Sequence, residues 1–283
     1  MNNSDLLAND TAPSPNGFIQ HGEEGFAGMR KAGRLAAECL DMLVPLAKPG
    51  ISSAALDKAA FEFVMDHGAK PACLGYRGYR HTTCISVNHV ICHGIPGDKP
   101  LKEGDIANID VTVIVDGWHG DTSRMFYFGE PSVLAKRLTD TTFEAMWKAI
   151  EIVRPGATLR DIGAAIQTHA EAAGFSVVRD FCGHGVGQVF HCPPNIVHYA
   201  RYKDRFGSHQ TPATPLVEGM FFTIEPMINT GKPDAKVKRD GWTAVTRDRS
   251  LSAQFEHCIG VTKDGFEVFT KSPAGFDRPP FQG

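Results

Sequence analysis

The sequence predicts a mixed α/β (α+β) domain built by duplication, with two halves, about 26–130 and 131–272, related by a pseudo-twofold axis. Three observations predict it. Apolar residues recur at three- and four-residue steps in four stretches, the spacing of amphipathic helices. The run Leu101-Lys-Glu-Gly104-Asp-Ile-Ala-Asn-Ile109-Asp110 matches Leu216-Val-Glu-Gly219-Met-Phe-Phe-Thr-Ile224-Glu225, each spelling Leu-x-Glu-Gly, four residues, then Ile and an acid. Two apolar, β-branched arms flank Asp116-Gly117, a strong hairpin signal because a type I′ turn needs positive φ.

Residues 1–24, rich in Asn, Ser, Gly and Pro, offer few large apolar side chains and are expected to form a disordered tail ahead of a single catalytic domain over 25–283. Met29, Ala32, Leu35, Ala36, Cys39, Leu40 and Leu43 mark the first helix, ended by Pro49-Gly50. A second starts at Ser52 or Ser53, either able to cap it, turns Leu56, Ala60, Phe63 and Val64 inward and stops near Gly68. A Gly- and Tyr-bearing loop, Cys73 to Cys84, leads into a strand reaching Val87. Past the hairpin, a helix runs from about Val133 to Val153, and another from Thr158, which forms a capping box with Asp161, to Gly174 as its C′ residue. A strand over Ser176 to Arg179 follows.

Composition narrows the function classes. Apolar content of 42% and charged content of 22% are those of a folded soluble protein. The net charge of -3 implies no polyelectrolyte partner, and the basic set Lys236, Lys238, Arg239, Arg247 and Arg249 reads as a solvated face rather than a nucleic-acid patch. The seven cysteines are odd in number and never spaced Cys-x-x-Cys, which points to reduced thiols in a cytosolic protein. No apolar run approaches the ~20 residues of a membrane span, and the N-terminus lacks a signal peptide's pattern, so neither secretion nor membrane anchoring is expected.

The chemistry concentrates in five side chains. If Asp116 and Gly117 form the turn, Val115 pairs with Trp118 and Asp121 lies opposite Thr112. Asp110 then shares a face with Asp121 as a diagonal neighbour roughly 7–8 Å away, a gap suited to divalent cations. A solvated hairpin face is the competing reading. Glu225 sits on an apolar strand expected over Met220 to Ile228, where an unpaired charge is costly. Glu256 sits in another such run, with a salt bridge to an arginine as its alternative, and His184 lies between Gly183 and Gly185, where a surface histidine is the plain reading. Taken together, four acids and an imidazole need a common positive partner. Two divalent ions roughly 3.5–4 Å apart satisfy them, with a bridging water made hydroxide near neutral pH. The implied chemistry is metal-assisted hydrolysis of a carbonyl or phosphoryl compound.

The runs Cys-His-Gly-Ile-Pro at 92–96, Asn-Ile-Asp-Val-Thr-Val at 108–113, His-Gly-Asp-Thr-Ser at 119–123, Gly-His-Gly-Val-Gly at 183–187, Thr-Ile-Glu-Pro-Met at 223–227 and Ser-Ala-Gln-Phe-Glu-His at 252–257 resemble type I methionine aminopeptidases, in order, from about Phe26 to Thr270. The resemblance implies a duplicated "pita-bread" fold, with a central antiparallel sheet holding two metals and helices outside. It implies that Asp110 binds one metal, that Asp121 and Glu256 bridge both, and that His184 and Glu225 bind the other, Glu225 also moving protons. It implies that His191 stabilises the oxyanion and His93 contacts the scissile nitrogen. Cys73, Tyr76, Tyr79, Cys84, Phe190 and Trp242 are implied as the methionine pocket, thiols and rings being soft partners for a thioether.

The metals implied are cobalt, manganese, iron or zinc, with one monovalent cation, sodium or potassium, near Asn88, Val90 and Ser252. The substrates implied are nascent polypeptide N-termini with a small second residue, met in the cytoplasm and at the ribosome surface by a monomer. His119, two strand residues from Asp121, lies nearly 7 Å along the strand, too far to join the ligands, and is expected either to support a ligand from behind or to be structural. Three departures stand out. The stretch 200–215 is longer than in a typical bacterial relative and is placed at the active-site rim. Arg77 stands where relatives often carry histidine, and the tail lacks paired-Cys zinc fingers. The rivals are a Pro-specific aminopeptidase or prolidase of the same fold and a noncatalytic ribosome-associated binding protein.

Overall fold

A computed structural model describes residues 17–204 and 207–281. Residues 1–16 of the expected tail lie outside the described residues. Residues 17–22 do not behave as a tail: Phe18 packs on the core, the His21 N–H donates to the Gly219 carbonyl at 2.8 Å, and the His21 ring stacks on Phe221 at 4.4 Å. Apolar contact and a backbone bond to the other half hold Phe18 and His21 to the fold.

The helices follow the local signals. The first, α1, spans Glu23–Leu43 and buries Met29, Ala32, Leu35, Ala36, Cys39, Leu40 and Leu43. It ends earlier than Pro49-Gly50, because Pro45 lacks an N–H and a 3₁₀ turn, Val44–Leu46, takes over. The second, α2, spans Ser53–Asp66, and Ser52 is its cap, accepting the Ala55 N–H on its hydroxyl. The third, α3, spans Val133–Ile150, and α4 spans Leu159–Ala172 with both bonds of the Thr158–Asp161 capping box in place. Gly174, one residue past the Ala173 cap of α4, has φ +79°.

The hairpin registers as its turn dictates. Asp116 and Gly117 have φ of 51° and 85°, Val115 pairs with Trp118, and Thr112 faces Asp121. The strand Asp105–Val115 pairs along one edge with Trp118–Phe128 and along the other with Thr83–Val87 and Lys70–Pro71. In the second half, Phe221–Ile224 lies between His257–Val261 and Gly183–Gly185, and the last of these pairs with Cys192–Ile196. Among the described residues every strand pair is antiparallel.

The repeat is structural. Gly104 and Gly219 both have φ +84°, and their N–H groups donate to the ends of equivalent partner strands, Phe128 and Val261, at 2.8 and 2.9 Å. Each half has its own core: α1 and α2 pack Leu40, Leu56 and Val64 on Ile109, Val111 and Phe126, while α3 and α4 pack Leu138, Met146 and Ile166 on Phe222, Ile224 and Ile259. Burying each such side chain contributes about 1.5–3 kcal/mol.

The halves differ at one point that matters for the site. The first-half strand runs unbroken through Asp110, whereas Met220 to Ile228 is not one strand. It breaks at Glu225-Pro226, where the proline has no N–H to continue the ladder. The chain resumes as Met227–Asn229, paired with Ser252–Gln254 in a different sheet. The paired segment makes the same crossing between Gln254 and His257, so Glu225 and Glu256 both sit where the backbone passes from one sheet to the other.

Candidate active site

The hairpin pairing sets Asp110 against Ser123 and Thr112 against Asp121, which leaves the two acids diagonal on one face. The Thr112 hydroxyl donates to Asp121 Oδ1 at 2.7 Å. Glu256 reaches the same place because its backbone bridges Ser123 across the halves, its N–H donating to the Ser123 carbonyl at 3.0 Å. Gly183 lets the histidine strand come close: a Cβ there would stand 2.3 Å from the Thr223 carbonyl oxygen. The Thr223 hydroxyl then serves two residues, accepting the His184 N–H at 3.0 Å and donating to Glu225 Oε1 at 2.7 Å. Gln254 Nε2 donates to Glu225 Oε2 at 3.2 Å, and the Glu225 N–H donates to Nε2 of the buried His198 at 3.2 Å.

His184 Nε2 lies 3.6 Å from Asp121 Oδ2 and 3.7 Å from Glu225 Oε1. Its Nδ1 is 3.1 Å from the Gly185 carbonyl, which places the ring proton there and turns the Nε2 lone pair to the acids. Ligand atoms of Asp121, His184 and Glu256 all lie within 4.8 Å of one another. Burial, reinforced by mutual repulsion, holds the Asp110, Glu225 and Glu256 carboxyls well above the usual range, and burial lifts Asp121 to about 7 against the Thr112 hydrogen bond. Burial also holds His184 down to about 4, so its imidazole is neutral at pH 7.

A divalent pair fits this donor set. Asp110 Oδ1 is buried and finds no hydrogen-bond partner among the described residues, four carboxylates balance two dications, and the imidazole presents a free lone pair. A pH dependence follows. Carboxyls whose folded pKa is raised hold protons that the unfolded chain has released, so the metal-free fold loses stability as pH rises through the folded values; the site histidines, whose pKa burial lowers, have no folded-state proton for a cation to displace over that range. Cations replace those protons. The rise in melting temperature on adding Mn to chelator-treated protein is therefore expected to grow from pH 6.5 to pH 8. An increment that is flat or shrinks over that interval contradicts the assignment.

The acids line one side of a cavity of about 500 Å³ whose other walls carry Cys73, Tyr76, Tyr79, Cys84, His93, Phe190, His191 and Trp242. Cys73, Tyr79 and Cys84 are buried against Phe190 and Trp242 in a cluster apart from both cores. The Tyr79 hydroxyl donates to the Thr83 carbonyl at 2.9 Å, which leaves its ring face to the cavity. Tyr76 stacks on His191 at 5.1 Å, and the His191 ring lies 4.1 Å from that of His184. His93, at φ +54°, meets Phe181 and Trp242 edge-on, and burial lowers its pKa as it lowers that of His191. Arg77 lies over the Tyr76 ring at 5.4 Å.

His119 turns away from the acids, its Nδ1 2.9 Å from the Gly187 carbonyl and its ring stacked on Phe190. Asn88, Val90 and Ser252 do not line this cavity. Asn88, at φ +54°, spends its side chain on Asp105 and the Ile106 N–H, its carbonyl accepts the Ser252 N–H at 2.8 Å, and the buried Ser252 hydroxyl has no partner among the described residues. The stretch 200–215, expected at the rim, contributes no described residue to the cavity wall. Sequence reasoning missed Cys92, Phe181, Cys182 and Met227 in the lining, and the three groups that hold Glu225. Thr223 and Gln254 each stand two residues before a glutamate inside motifs already singled out, a signal that was there. His198 has none.

The model of metallopeptidase family M24 matches residues 27–263. A methionine aminopeptidase of Rickettsia prowazekii is 56% identical over 262 residues, 92% of this chain and 98% of that protein, and one of Escherichia coli is 52% identical over 249 residues, 87% of this chain and 91% of that protein. The crystal structure of the Rickettsia prowazekii methionine aminopeptidase superposes with a TM-score of 0.85, covering 89% of this chain and 99% of that one at 55% identity. A Pyrococcus furiosus prolidase, 21% identical with a TM-score of 0.71, shares the fold, and the match covers 65% of its length.

Proposed function

The chain belongs to metallopeptidase family M24, among its methionine aminopeptidases, and on that premise we propose that it removes the N-terminal methionine of polypeptides whose second residue is small. One observation carries the reading: a pocket of thiols and aromatic rings opens beside the four acids and His184 within a single cavity. Asp110, Asp121, His184, Glu225 and Glu256 would hold the two divalent ions, as Co, Mn, Fe or Zn. Bound there, such ions supply a Lewis acid for the scissile carbonyl and a nucleophilic water at neutral pH.

The remaining work belongs to the chain's own groups. Cys73, Tyr79, Cys84, Phe190 and Trp242 hold the methionine side chain through soft dispersion contacts, with Tyr76 closing the edge. Neutral His191 donates a hydrogen bond to the carbonyl oxygen as negative charge develops on it, and His93 orients the scissile nitrogen. Glu225 takes the nucleophile's proton and returns it to the departing amine. The Thr223 and Gln254 donors fix that carboxylate in place. A sodium or potassium ion at Asn88, Val90 and Ser252 would give the orphaned Ser252 hydroxyl a partner. The seven free thiols favour a cytoplasmic setting.

The test compares Met-Ala-Ser with Ala-Pro-Met after chelation and re-addition of Mn, Co, Fe or Zn. Metal-dependent release of methionine from the first peptide alone is expected. Turnover without metal, or preference for the proline peptide, would overturn the reading.

A further inference from the structure

Beside α4 lies a second cavity, of about 410 Å³, that shares no lining residue with the catalytic one. One wall is a hairpin of Arg201–Asp204 and Gly207–Gln210. It is built onto the domain. The Gln167 side chain donates to the Arg201 carbonyl at 2.8 Å and accepts the N–H groups of Ala200 and Arg201, while the Thr211 hydroxyl donates to the Tyr199 carbonyl at 2.6 Å. Gly163 of α4 leaves room for this, because a Cβ there would stand 2.4 Å from the Tyr199 carbonyl oxygen.

The cavity is cationic and aromatic. Among the described lining residues Arg179, Arg201 and Lys203 are opposed by one acid, Glu171, whose carboxylate accepts a hydrogen bond from Gln167. The Tyr202 ring stacks on His209 at 4.6 Å and carries the Arg179 guanidinium at 5.5 Å, while Arg201 and Lys203 stay exposed. Such a site takes anions. The chain's net charge of -3 and pI of 6.4 disfavour a nucleic-acid partner, and the anions that a polypeptide substrate itself carries are the carboxylates of its acidic side chains.

Both walls continue along the chain into residues that line the catalytic cavity. Arg179 stands two residues from Phe181, and Tyr199 four residues from Asn195, and both Phe181 and Asn195 line the catalytic cavity. At about 3.3 Å per residue, the two sites are separated by roughly 7–13 Å of chain. At the same rise that span is about two to four residues, so a peptide extended past its second residue would cover it with about its fourth to sixth residues.

We propose that this cavity is an anion subsite that binds acidic side chains of the substrate polypeptide several residues beyond the methionine, an inference that rests on the aminopeptidase reading. The test uses Met-Ala-Ser-Gly followed by three aspartates or by three asparagines, and plain Met-Ala-Ser, with the metal-loaded parent and Arg201→Ala/Lys203→Ala. At low salt the parent is expected to prefer the aspartate peptide by about 3–10-fold in kcat/KM, as exposed ion pairs allow. The double variant should lose that preference and turn over Met-Ala-Ser at the parental rate. Fluorescence anisotropy with an N-acetylated, labelled aspartate peptide, which cannot be cleaved, should report weaker binding to the variant. No preference in the parent, or a preference that survives in the variant, overturns the proposal. So does a labelled oligothymidine whose binding the variant abolishes while the peptide preference stays. Failure to cleave Met-Ala-Ser with the anisotropy contrast intact would instead sink the aminopeptidase reading and leave the anion subsite standing.

Discussion

Glu225→Gln is expected to lower kcat for Met-Ala-Ser by about 10²–10⁴-fold, the range a positioned general base contributes. Glutamine keeps the size but not the chemistry. Both carboxylate oxygens now accept hydrogen bonds, from the Thr223 hydroxyl at 2.7 Å and from Gln254 Nε2 at 3.2 Å, so an amide nitrogen must face one of these donors. The side chain can neither take a proton nor offer a full negative charge to a cation. Two measurements separate these losses: metals per chain, and kcat with metal in excess. Turnover should stay low even where excess Mn restores the parental metal content. A metal-loaded variant within tenfold of the parent would remove Glu225 from the proton path.

Asp41→Ala is expected to cost about 3–5 kcal/mol, the usual penalty for stranding a buried charge. Arg124, fully buried on the hairpin, pairs with Asp41 of α1 and also donates to the carbonyls of Ala37 and Phe276 at 3.1 and 3.0 Å. Asp41 further accepts the Ser272 hydroxyl at 2.7 Å, so one carboxylate ties α1, the Asp116-Gly117 hairpin and the C-terminal segment together. For a domain of this size the melting temperature should fall by roughly 6–20 °C. Adding Arg124→Met to Asp41→Ala should recover part of the loss, since the charge that made it costly is gone. A drop under 2 °C for Asp41→Ala would mean that the buried guanidinium is satisfied elsewhere.

Much of this molecule is legible in its sequence because the information is local. The Asp116-Gly117 turn alone fixes the hairpin register, and therefore the meeting of Asp110 with Asp121, since both turn residues must take positive φ and side chains alternate from there. Thr158 with Asp161 marks a helix start by bonds within four residues, and the Leu-x-Glu-Gly repeat announces two halves whose glycines share one φ. The acids inside apolar runs declare themselves by the cost of burying charge.

Tertiary structure decided what depends on residues far apart in the chain. Pro226 ends the first strand locally, but which sheets receive the two pieces of Met220 to Ile228, and so place Glu225 and Glu256 at the crossing, is settled only by the assembled halves. His198 finds the Glu225 N–H, and residues 17–22 find Gly219 and Phe221, through contacts that no local pattern encodes. Arg124 in an apolar strand reads as an anomaly until Asp41 closes on it from 83 residues away. Backbone turns and caps are set by a residue's own φ and its nearest hydrogen bonds, whereas the pairing of buried charges is set by which surfaces the folded core brings together.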